Sequence, residues 1–261
     1  MKPSLDFVKE IAVTAGSILK KFPREDLNIA YKSYKDLVTQ ADFASERYLI
    51  DTIQASFPEH GIFAEESGQS VGLKAHQWFI DPLDGTLNYA YGVPFYSVSV
   101  GYALEGEMQL GAVYDPGRGE LFSAARGQGA TLNGIPIRAA QRTRLAECML
   151  AIGFHTESEN PLDENVANFL LFNSQALTIR RLGSAALDLA YVAAGRLDGL
   201  IDAKTCLWDI AAGGLIAREA GAVVTDINGH PDFMKEQPAN LVCANPVIHQ
   251  QMLDMRASLK R

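Results

Sequence analysis

The chain of 261 residues has few of the features that mark secreted or membrane proteins. It contains only three cysteines, which are far apart and form no CxxC pair, so they predict free buried thiols rather than a disulfide framework. No apolar run approaches the length of a membrane span. Asp6, Lys9 and Glu10 interrupt the N-terminal segment, which therefore lacks the apolar core of a signal peptide. We expect a cytoplasmic protein without a membrane-spanning segment.

Positive charge is also scarce. Lysine and arginine number 23 against 31 aspartates and glutamates, and the net charge is −8. A nucleic-acid surface needs clustered Lys and Arg, so direct nucleic-acid binding is not expected. A small anionic substrate is still compatible with this charge, because bound metal ions reverse the sign inside a single cleft. The five histidines are dispersed without metal-ligand spacing, so we expect them at the surface.

Helix and strand patterns alternate along the chain, whose hydrophobic content is 48%. We expect a layered α/β arrangement with a first half at residues 1–150 and a second half, with its own sheet, at residues 151–261. The predicted helices span residues 4–21, 41–58, 162–174, 184–195 and 208–222, and the strand-rich segments span residues 78–81, 95–106, 109–127, 198–202, 222–226 and 240–245.

The stretch "WFIDPLDGT" (78–86) leads an apolar strand directly into two aspartates, Asp81 and Asp84. Pro82 lies between them and has no N–H, so a regular strand ladder cannot continue there. A capped turn alone would explain aspartates beside proline and glycine, since their side chains bond nearby amides. The amides of Gly85 and Thr86, at a predicted helix start, offer a site for an anion.

Further acids occur beside strongly apolar neighbours at the ends of other predicted elements. Glu65 and Glu66 follow an apolar segment, and Asp42 and Asp209 each stand at a helix start. The two aspartates would also serve as helix N-caps, and Glu66 would also fit a solvated surface. Carboxylates that converge on one cleft repel each other unless cations are present. Oxygen ligands without His or Cys indicate Mg²⁺ rather than Zn²⁺, and two such ions roughly 4 Å apart suit phosphate-ester hydrolysis.

Five segments, in this order and across nearly the whole chain, resemble the inositol monophosphatase family. They are "DLVTQAD" (36–42), "AEESG" (64–68), "IDPLDGTLNYAYGVPFYSVSVG" (80–101), "RRLGSAALDLAYVAAGRLDG" (180–199) and "WDIAAGGLIAREAGA" (208–222). The resemblance implies a layered αβαβα sandwich of the inositol monophosphatase and fructose-1,6-bisphosphatase type, and a homodimer. It also implies Mg²⁺-dependent, Li⁺-sensitive hydrolysis of a phosphomonoester by direct attack of water.

Carried over by position, the resemblance implies a set of metal ligands, most of them in the first half of the chain. Glu65, Asp81 and the carbonyl of Leu83 look like ligands of one Mg²⁺. Asp81, Asp84 and Asp209 look like ligands of the second. The resemblance also gives Glu65 a part in holding a third, weaker ion.

The same resemblance implies catalytic and substrate-binding roles. Glu65 and Thr86 would orient the attacking water, with Asp42 supporting Thr86, while Glu66 would be structural. Asp202 stands where family members commonly carry a glutamate, so the shorter acid and the nearby Lys204 are expected to change the pocket. The predicted substrate contacts are Asp84, Gly85, Thr86, Gly183, Ser184, Ala185, Asp202 and Asp209.

The expected activity is hydrolysis of inositol monophosphate to inositol and phosphate. Phosphatases of fructose 1,6-bisphosphate, NADP, 3′-phosphoadenosine 5′-phosphate and histidinol phosphate share the metal core and are alternatives. Arg180 and Arg181 would reach a second phosphate, although surface or interface pairing is favoured for both. A different kind of alternative is a binding factor associated with transcription or ribosome assembly, since some bacterial relatives associate with the transcription machinery. The complete carboxylate set favours retained catalysis.

Overall fold

A computed structural model describes residues 2–23, 27–33, 37–69, 72–154 and 164–258. Within these ranges the chain forms seven α-helices and fifteen strands, with a 3₁₀ turn at Leu145–Glu147. The helices are α1 (Leu5–Leu19), α2 (Gln40–Ser56), α3 (Thr86–Tyr91), α4 (Glu164–Asn173), α5 (Ala185–Ala193), α6 (Leu207–Glu219) and α7 (Pro246–Ser258). The strands are β1 (Ala30–Tyr31), β2 (Leu37–Val38), β3 (His60–Ala64), β4 (Gly68–Gln69), β5 (Leu73–Asp84), β6 (Ser97–Leu104), β7 (Glu107–Asp115), β8 (Glu120–Ala125), β9 (Ala130–Leu132), β10 (Ile135–Pro136), β11 (Met149–Ile152), β12 (Thr178–Arg180), β13 (Gly199–Thr205), β14 (Val223–Thr225) and β15 (Ala239–Ala244).

The larger sheet contains eight of the described strands, in the order β10-β9-β8-β7-β6-β5-β3-β4. Its neighbours run antiparallel except for β3 and β5, which are parallel. The register of β5 against β6 shifts between Asp81 and Asp84, since Pro82 cannot donate to the ladder. The end of this central strand is therefore free to turn its two aspartates away from regular pairing.

The second sheet has five described strands in the order β12-β11-β13-β15-β14. Helices α5 and α6 pack between the two sheets, α1 and α2 cover the outer face of the larger sheet, and α4 and α7 cover the outer face of the smaller one. This is the expected αβαβα sandwich, and the fold prediction is confirmed. The main core joins residues from both predicted halves, such as Phe122 and Leu215. The boundary at residue 150 stays a prediction.

Local sequence explains the helices that support the site. In α2, the Thr39 side chain and Asp42 form a capping box at the N-terminus, and Leu49 and Ile53 are buried. Phe43 is apolar but 53% exposed. It follows the buried Ala41 by two residues, and positions i and i+2 of a helix do not share a face.

The surface prediction for the histidines is wrong for two of them. His60 is buried, stacks on His76 with ring centroids 4.3 Å apart, and accepts a hydrogen bond at Nδ1 from Trp78 Nε1 at 3.1 Å. His249 is buried with Nε2 at 2.9 Å from the hydroxyl of Thr225. Aromatic stacking and a hydrogen-bond partner let these imidazoles enter the core. His155 lies outside the described residues.

The three cysteines form no disulfide, as predicted; Cys148 and Cys243 are buried, whereas Cys206 is only partly buried. None of the helices that the structure describes combines the length and apolar character needed to cross a membrane. The helix predicted over residues 162–174 corresponds to α4, and its first two positions, 162 and 163, lie outside the described residues.

Candidate active site

A cavity of about 460 Å³ opens where the end of β5 meets α3, α5 and α6. The structure places eleven of the predicted site residues on its wall: Glu65, Asp81, Leu83, Asp84, Gly85, Thr86, Gly183, Ser184, Ala185, Asp202 and Asp209. Asp42 is fully buried and does not line the cavity. Segments that are distant in sequence thus meet at one place.

Asp81 and Asp84 form the centre of the cavity wall. Asp81 is buried, and its Oδ1 accepts a hydrogen bond from the amide of Leu83 at 2.9 Å. Oδ2 of Asp84 accepts from the hydroxyl of Ser184 at 2.5 Å and from the amide of Ala186 at 2.7 Å. The broken end of β5 is therefore tied to the N-terminus of α5, and both carboxylates are held in place.

Asp209 is the third residue of α6, whose N-cap is Cys206. Its Oδ2 accepts from the amide of Cys206 and from the hydroxyl of Thr205, each at 3.1 Å. Asp209 is therefore not the N-cap itself, although its carboxylate accepts a hydrogen bond from the amide of the N-cap residue. This helix-start contact does not exhaust the role of the side chain, because the same carboxylate lines the cavity.

Asp42 behaves similarly at the start of α2. Its Oδ2 accepts from the amide of Thr39 at 2.8 Å and from the hydroxyl of Thr39 at 2.6 Å. Its Oδ1 lies 3.1 Å from the hydroxyl of Thr86, which is also 2.9 Å from the carbonyl oxygen of Leu83. One oxygen of Asp42 thus caps the helix while the other reaches the back of the cavity wall.

Glu65 and Glu66 are both paired with the ammonium group of Lys32, a residue with no predicted role. Nζ of Lys32 lies 2.9 Å from Oε1 of Glu65 and 2.6 Å from Oε1 of Glu66. The Glu66 side chain is only 3% exposed, so the solvated alternative for it is wrong. Oε2 of Glu46 accepts from the amide of Glu66 at 2.8 Å and holds the turn that carries Glu65.

Burial and mutual repulsion raise the pKa values of these acids. Burial, opposed by the donors Ser184 and Ala186, raises the pKa of Asp84 from 3.8 to about 6. Burial first, then the charges of Glu65, Asp84 and Asp209, raises the pKa of Asp81 well above its ordinary value. For Asp209 the pKa is raised by burial and then by the charges of its acidic neighbours. The cavity wall therefore carries more negative charge than its surroundings balance.

Away from the cavity wall, burial also raises the pKa of Asp42 to about 6 and that of Glu66 to about 8. For Glu66 the nearby charge of Glu65 adds to this rise, while Lys32 opposes it. Asp42 and Glu66, behind the cavity wall, therefore have raised pKa values like the acids on the wall.

The donor chemistry of the wall fits Mg²⁺, which takes hard oxygen ligands. Four carboxylates and the Leu83 carbonyl share one cavity, and their repulsion is what a divalent cation would relieve. Among the residues described, no three His, Cys, Asp or Glu side chains already stand together as a ligand cage. The hydrogen bonds show what the carboxylates hold instead, since Asp84 contacts Ser184 and Glu65 contacts Lys32.

The opposite side of the cavity is built by α5, β13 and the segment before α5. The side-chain amide of Asn88 donates to the carbonyl of Leu182 at 2.8 Å, which fixes that segment against α3. Asp202 is 7% exposed and faces the cavity, whereas Lys204 is exposed and does not line it. The expected influence of Lys204 on pocket charge therefore has no contact to support it.

Two more charged residues line the cavity: Arg181, for which surface or interface pairing was favoured, and Asp188, which had no assignment. Arg181 is exposed at the rim, with its guanidinium carbon 5.5 Å from the ring centre of Phe154. Asp188 of α5 is 2% exposed and lines the cavity one helical turn after Ser184. Its signal in the sequence is a lone acid within the apolar helix "SAALDLAYVAAG".

The fold and the cavity together define a class of protein. It is a layered αβαβα sandwich in which acids from three separate parts of the chain line one cavity beside a helix start. The sequence profile of the inositol monophosphatase family matches residues 1–260. The chain therefore belongs to the inositol monophosphatase family.

Relatives in bacteria agree with this assignment. The protein named Nus factor SuhB of Pasteurella multocida is 42% identical over 257 residues, which cover 97% of this chain and 96% of the relative. The solved inositol monophosphatase of Anabaena (Nostoc) sp. PCC 7120 superposes with a TM-score of 0.87 at 37% identity, covering 97% of this chain and 95% of that one. The extragenic suppressor protein suhB of Bartonella henselae gives a TM-score of 0.88 at 35% identity, covering 94% and 95%. Family membership supports a Mg²⁺-dependent phosphatase and leaves its substrate open.

Proposed function

We propose that this protein hydrolyses inositol monophosphate to inositol and phosphate in a Mg²⁺-dependent reaction. One observation carries the proposal: Glu65, Asp81, Asp84 and Asp209, from three parts of the chain, line a single cavity. They do so beside the Gly85–Thr86 turn at the start of α3, where backbone amides suit a phosphate group. Membership of the inositol monophosphatase family supports the same chemistry.

The carboxylates would hold the metal ions as the family resemblance implies. Glu65, Asp81 and the Leu83 carbonyl would hold one Mg²⁺, and Asp81, Asp84 and Asp209 would hold the second, with Glu65 contributing to a third. When bound, Mg²⁺ lowers the pKa of a coordinated water and neutralises charge on the phosphate and on the departing oxygen.

Thr86 would orient the attacking water. Its hydroxyl hydrogen is directed to Asp42 or to the Leu83 carbonyl, both within hydrogen-bond distance. The lone pairs of its oxygen are then available to accept a hydrogen from water on the cavity side. Glu65 would accept the second hydrogen, so that a lone pair of the water faces phosphorus.

The alcohol part of the substrate would occupy the side of the cavity formed by Gly183, Ser184, Ala185 and Asp202. Asp202 would accept hydrogen bonds from hydroxyl groups, and Asp84 and Asp209 would contact the substrate next to the metal ions. The side chain of Asp202 is shorter than the glutamate common in the family, so it leaves more room than a strict inositol pocket needs. Inositol 1-phosphate is accordingly the first substrate to assay, together with larger phosphorylated polyols.

The direct test is release of phosphate from inositol 1-phosphate with Mg²⁺, with EDTA, and with added Li⁺. We expect turnover only with Mg²⁺ and inhibition by Li⁺. Asp84→Asn should lower kcat by at least about a hundredfold, since electrostatic groups of this kind contribute several kcal/mol. Asp198→Asn alters a buried acid outside the cavity and should retain kcat. A folded protein without activity on any sugar or polyol phosphate would overturn the proposal.

The alternative substrates are separated by comparing kcat/KM, because discrimination between substrates is expressed in that ratio. Fructose 1,6-bisphosphate, NADP, 3′-phosphoadenosine 5′-phosphate and histidinol phosphate form the comparison set. A higher kcat/KM for one of these than for inositol 1-phosphate would reassign the substrate while keeping the metal-dependent chemistry.

A second candidate function is a binding role in transcription, suggested by the name Nus factor SuhB that relatives 38–42% identical carry. Affinity purification from a bacterial lysate tests it with the wild type and with Asp84→Asn. Recovery of transcription proteins by both would support a role independent of catalysis. Recovery by neither, with intact enzyme activity, would leave catalysis as the function.

Homodimer formation is the third part of the proposal, and the resemblance to the family supports it. Two large apolar side chains, Leu170 on α4 and Leu177 before β12, are 65% and 68% exposed in the single chain. Burial of such side chains between two copies would be favourable. Light scattering should give twice the mass of one chain, and Leu177→Lys should shift the mass toward the monomer. A wild-type monomer at micromolar concentration would contradict the proposal.

A further inference from the structure

One acid on the cavity wall, Asp188, has been assigned neither to the metal ions nor to the substrate. Asp188 of α5 lines the cavity, is 2% exposed, and is not among the carboxylates assigned to metal. Within the described part of the chain, its Oδ1 is buried and has no hydrogen-bond partner. A buried polar atom left unpaired destabilises a fold by about 1–3 kcal/mol. A partner from outside the chain would remove that penalty.

Asp202 approaches the same part of the cavity from β13. Asp84, Asp188 and Asp202 line the same cavity, and after burial the charges of Asp84 and Asp202 raise the pKa of Asp188 well above its ordinary value. The neighbouring wall is shaped around Asp202, since a Cβ added to Gly153 would lie 2.1 Å from its carboxylate atoms. The absence of a side chain at Gly153 thus leaves room for the carboxylate of Asp202.

Within the described ranges, the charges that act on Asp188 are those of two acids, Asp84 and Asp202. Lys32 and Arg181 are the cationic residues on the cavity wall within the ranges described. Lys32 is engaged by Glu65 and Glu66, and Arg181 is exposed at the rim beside Phe154. The alcohol part of a bound phosphate ester would therefore meet hydrogen-bond acceptors at this side of the cavity, and a second phosphate there would be repelled.

We propose that Asp188 is a specificity-determining residue whose Oδ1 forms a hydrogen bond with a hydroxyl or ammonium group on the alcohol part of the substrate. This inference rests on the proposed phosphatase function. It predicts a preference for phosphomonoesters whose alcohol carries hydrogen-bond donors. It disfavours the bisphosphate alternatives, because the acids on this side of the cavity would repel a second phosphate.

The test compares the wild type with Asp188→Ala and Asp188→Asn on three substrates. Inositol 1-phosphate offers hydroxyl donors, ethanolamine phosphate offers an ammonium group, and p-nitrophenyl phosphate offers neither. For Asp188→Ala, the kcat/KM of the donor-bearing substrate relative to that of p-nitrophenyl phosphate should fall about 10–100-fold, mainly through KM. Asp188→Asn keeps an acceptor oxygen and should lose less. The substrate with the larger loss identifies the donor as hydroxyl or ammonium.

Asp198→Ala is the matched control, because Asp198 is an equally buried aspartate that lies outside the cavity and is paired with Arg142. It should lower thermal stability without changing the substrate ratio. A purely structural Asp188 would behave in the same way, with a lowered melting temperature and an unchanged ratio. That result for Asp188→Ala would overturn the inference.

Calorimetric titration with myo-inositol, in the presence of Mg²⁺ and inorganic phosphate, separates this inference from the proposed function. If no substrate is hydrolysed but the wild type binds myo-inositol more tightly than Asp188→Ala does, the phosphatase proposal fails and the role of Asp188 stands. Equal binding by both proteins, or binding by neither, would overturn the role of Asp188. Normal hydrolysis with an unchanged substrate ratio would overturn it while the phosphatase proposal survives.

Discussion

Replacing Asp84 with asparagine should stabilise the metal-free protein while it abolishes activity. Oδ2 of Asp84 already accepts both hydrogen bonds, from Ser184 and Ala186, and the oxygen of an asparagine can keep them. The asparagine amide would then donate to the neighbouring carboxylates in place of a repelling charge. The substitution therefore removes the unfavourable charge without removing the contacts that position the side chain.

The magnitude follows from the pKa of Asp84. Its rise from 3.8 to about 6 corresponds to about 3 kcal/mol of unfavourable free energy when the group is ionised in the folded state. Because folding raises this pKa, protonation of Asp84 stabilises the folded state, and this contribution is complete below pH 4. It is lost as the pH rises from about 4 to about 6. At pH 7.5 the variant should gain up to about 3 kcal/mol, or up to about 6 °C in melting temperature for a chain of this length.

Thermal unfolding in EDTA and in Mg²⁺, at pH 4 and pH 7.5, measures this effect. In EDTA at pH 7.5, Asp84→Asn should melt above the wild type, and at pH 4 the two should nearly coincide. Mg²⁺ should raise the melting temperature of the wild type more than that of the variant, since binding to the folded state stabilises it. Asp198→Asn, which loses a charge paired with Arg142, should melt lower with and without Mg²⁺. A comparable loss for Asp84→Asn in EDTA would refute the electrostatic reasoning.

Substitutions at three other positions test neighbouring parts of the site. In steady-state kinetics, Thr86→Ala should lower kcat more than tenfold with little change in KM, whereas Thr86→Ser should restore most of kcat. Equal losses in both variants would exclude a catalytic role for the hydroxyl. Lys32→Met should bind Mg²⁺ more tightly in calorimetric titration, because Glu65 loses a competing cation; weaker binding would show that Lys32 organises the site instead. Glu46→Ala should weaken Mg²⁺ binding, because it releases the turn at Glu66. Glu46→Gln keeps an acceptor oxygen and should bind Mg²⁺ as tightly as the wild type. Equal affinity in both variants would show that this hydrogen bond does not position Glu65.

Much of the fold could be predicted because the relevant signals are local. The apolar spacing and the N-cap Ser4 predict α1, and Ser184 begins α5 as expected from its position before an apolar run. Asn133 and Gly134 have φ values of 50° and 80°, which is the turn that an Asn-Gly pair predicts. These features depend on residues a few positions apart, so one sequence contains them.

The remaining features depend on contacts between distant residues. Lys32 reaches Glu65 across 33 positions, and nothing near either residue indicates the pair. Asp188 and Asp202 line the same cavity because α5 packs against β13. The burial of His60 likewise depends on stacking against His76 from the neighbouring strand. Such long-range packing decides the charge balance of the cavity and cannot be read from local patterns.

The central claim is that Glu65, Asp81, Asp84 and Asp209 gather divalent cations in one cavity. A crystal grown with Mn²⁺ in place of Mg²⁺ tests it directly, because the anomalous signal of manganese locates each ion. We predict at least two peaks bounded by these four carboxylates, and loss of at least one of them in Asp84→Asn. Full-occupancy manganese elsewhere, with this cavity empty, would contradict the account.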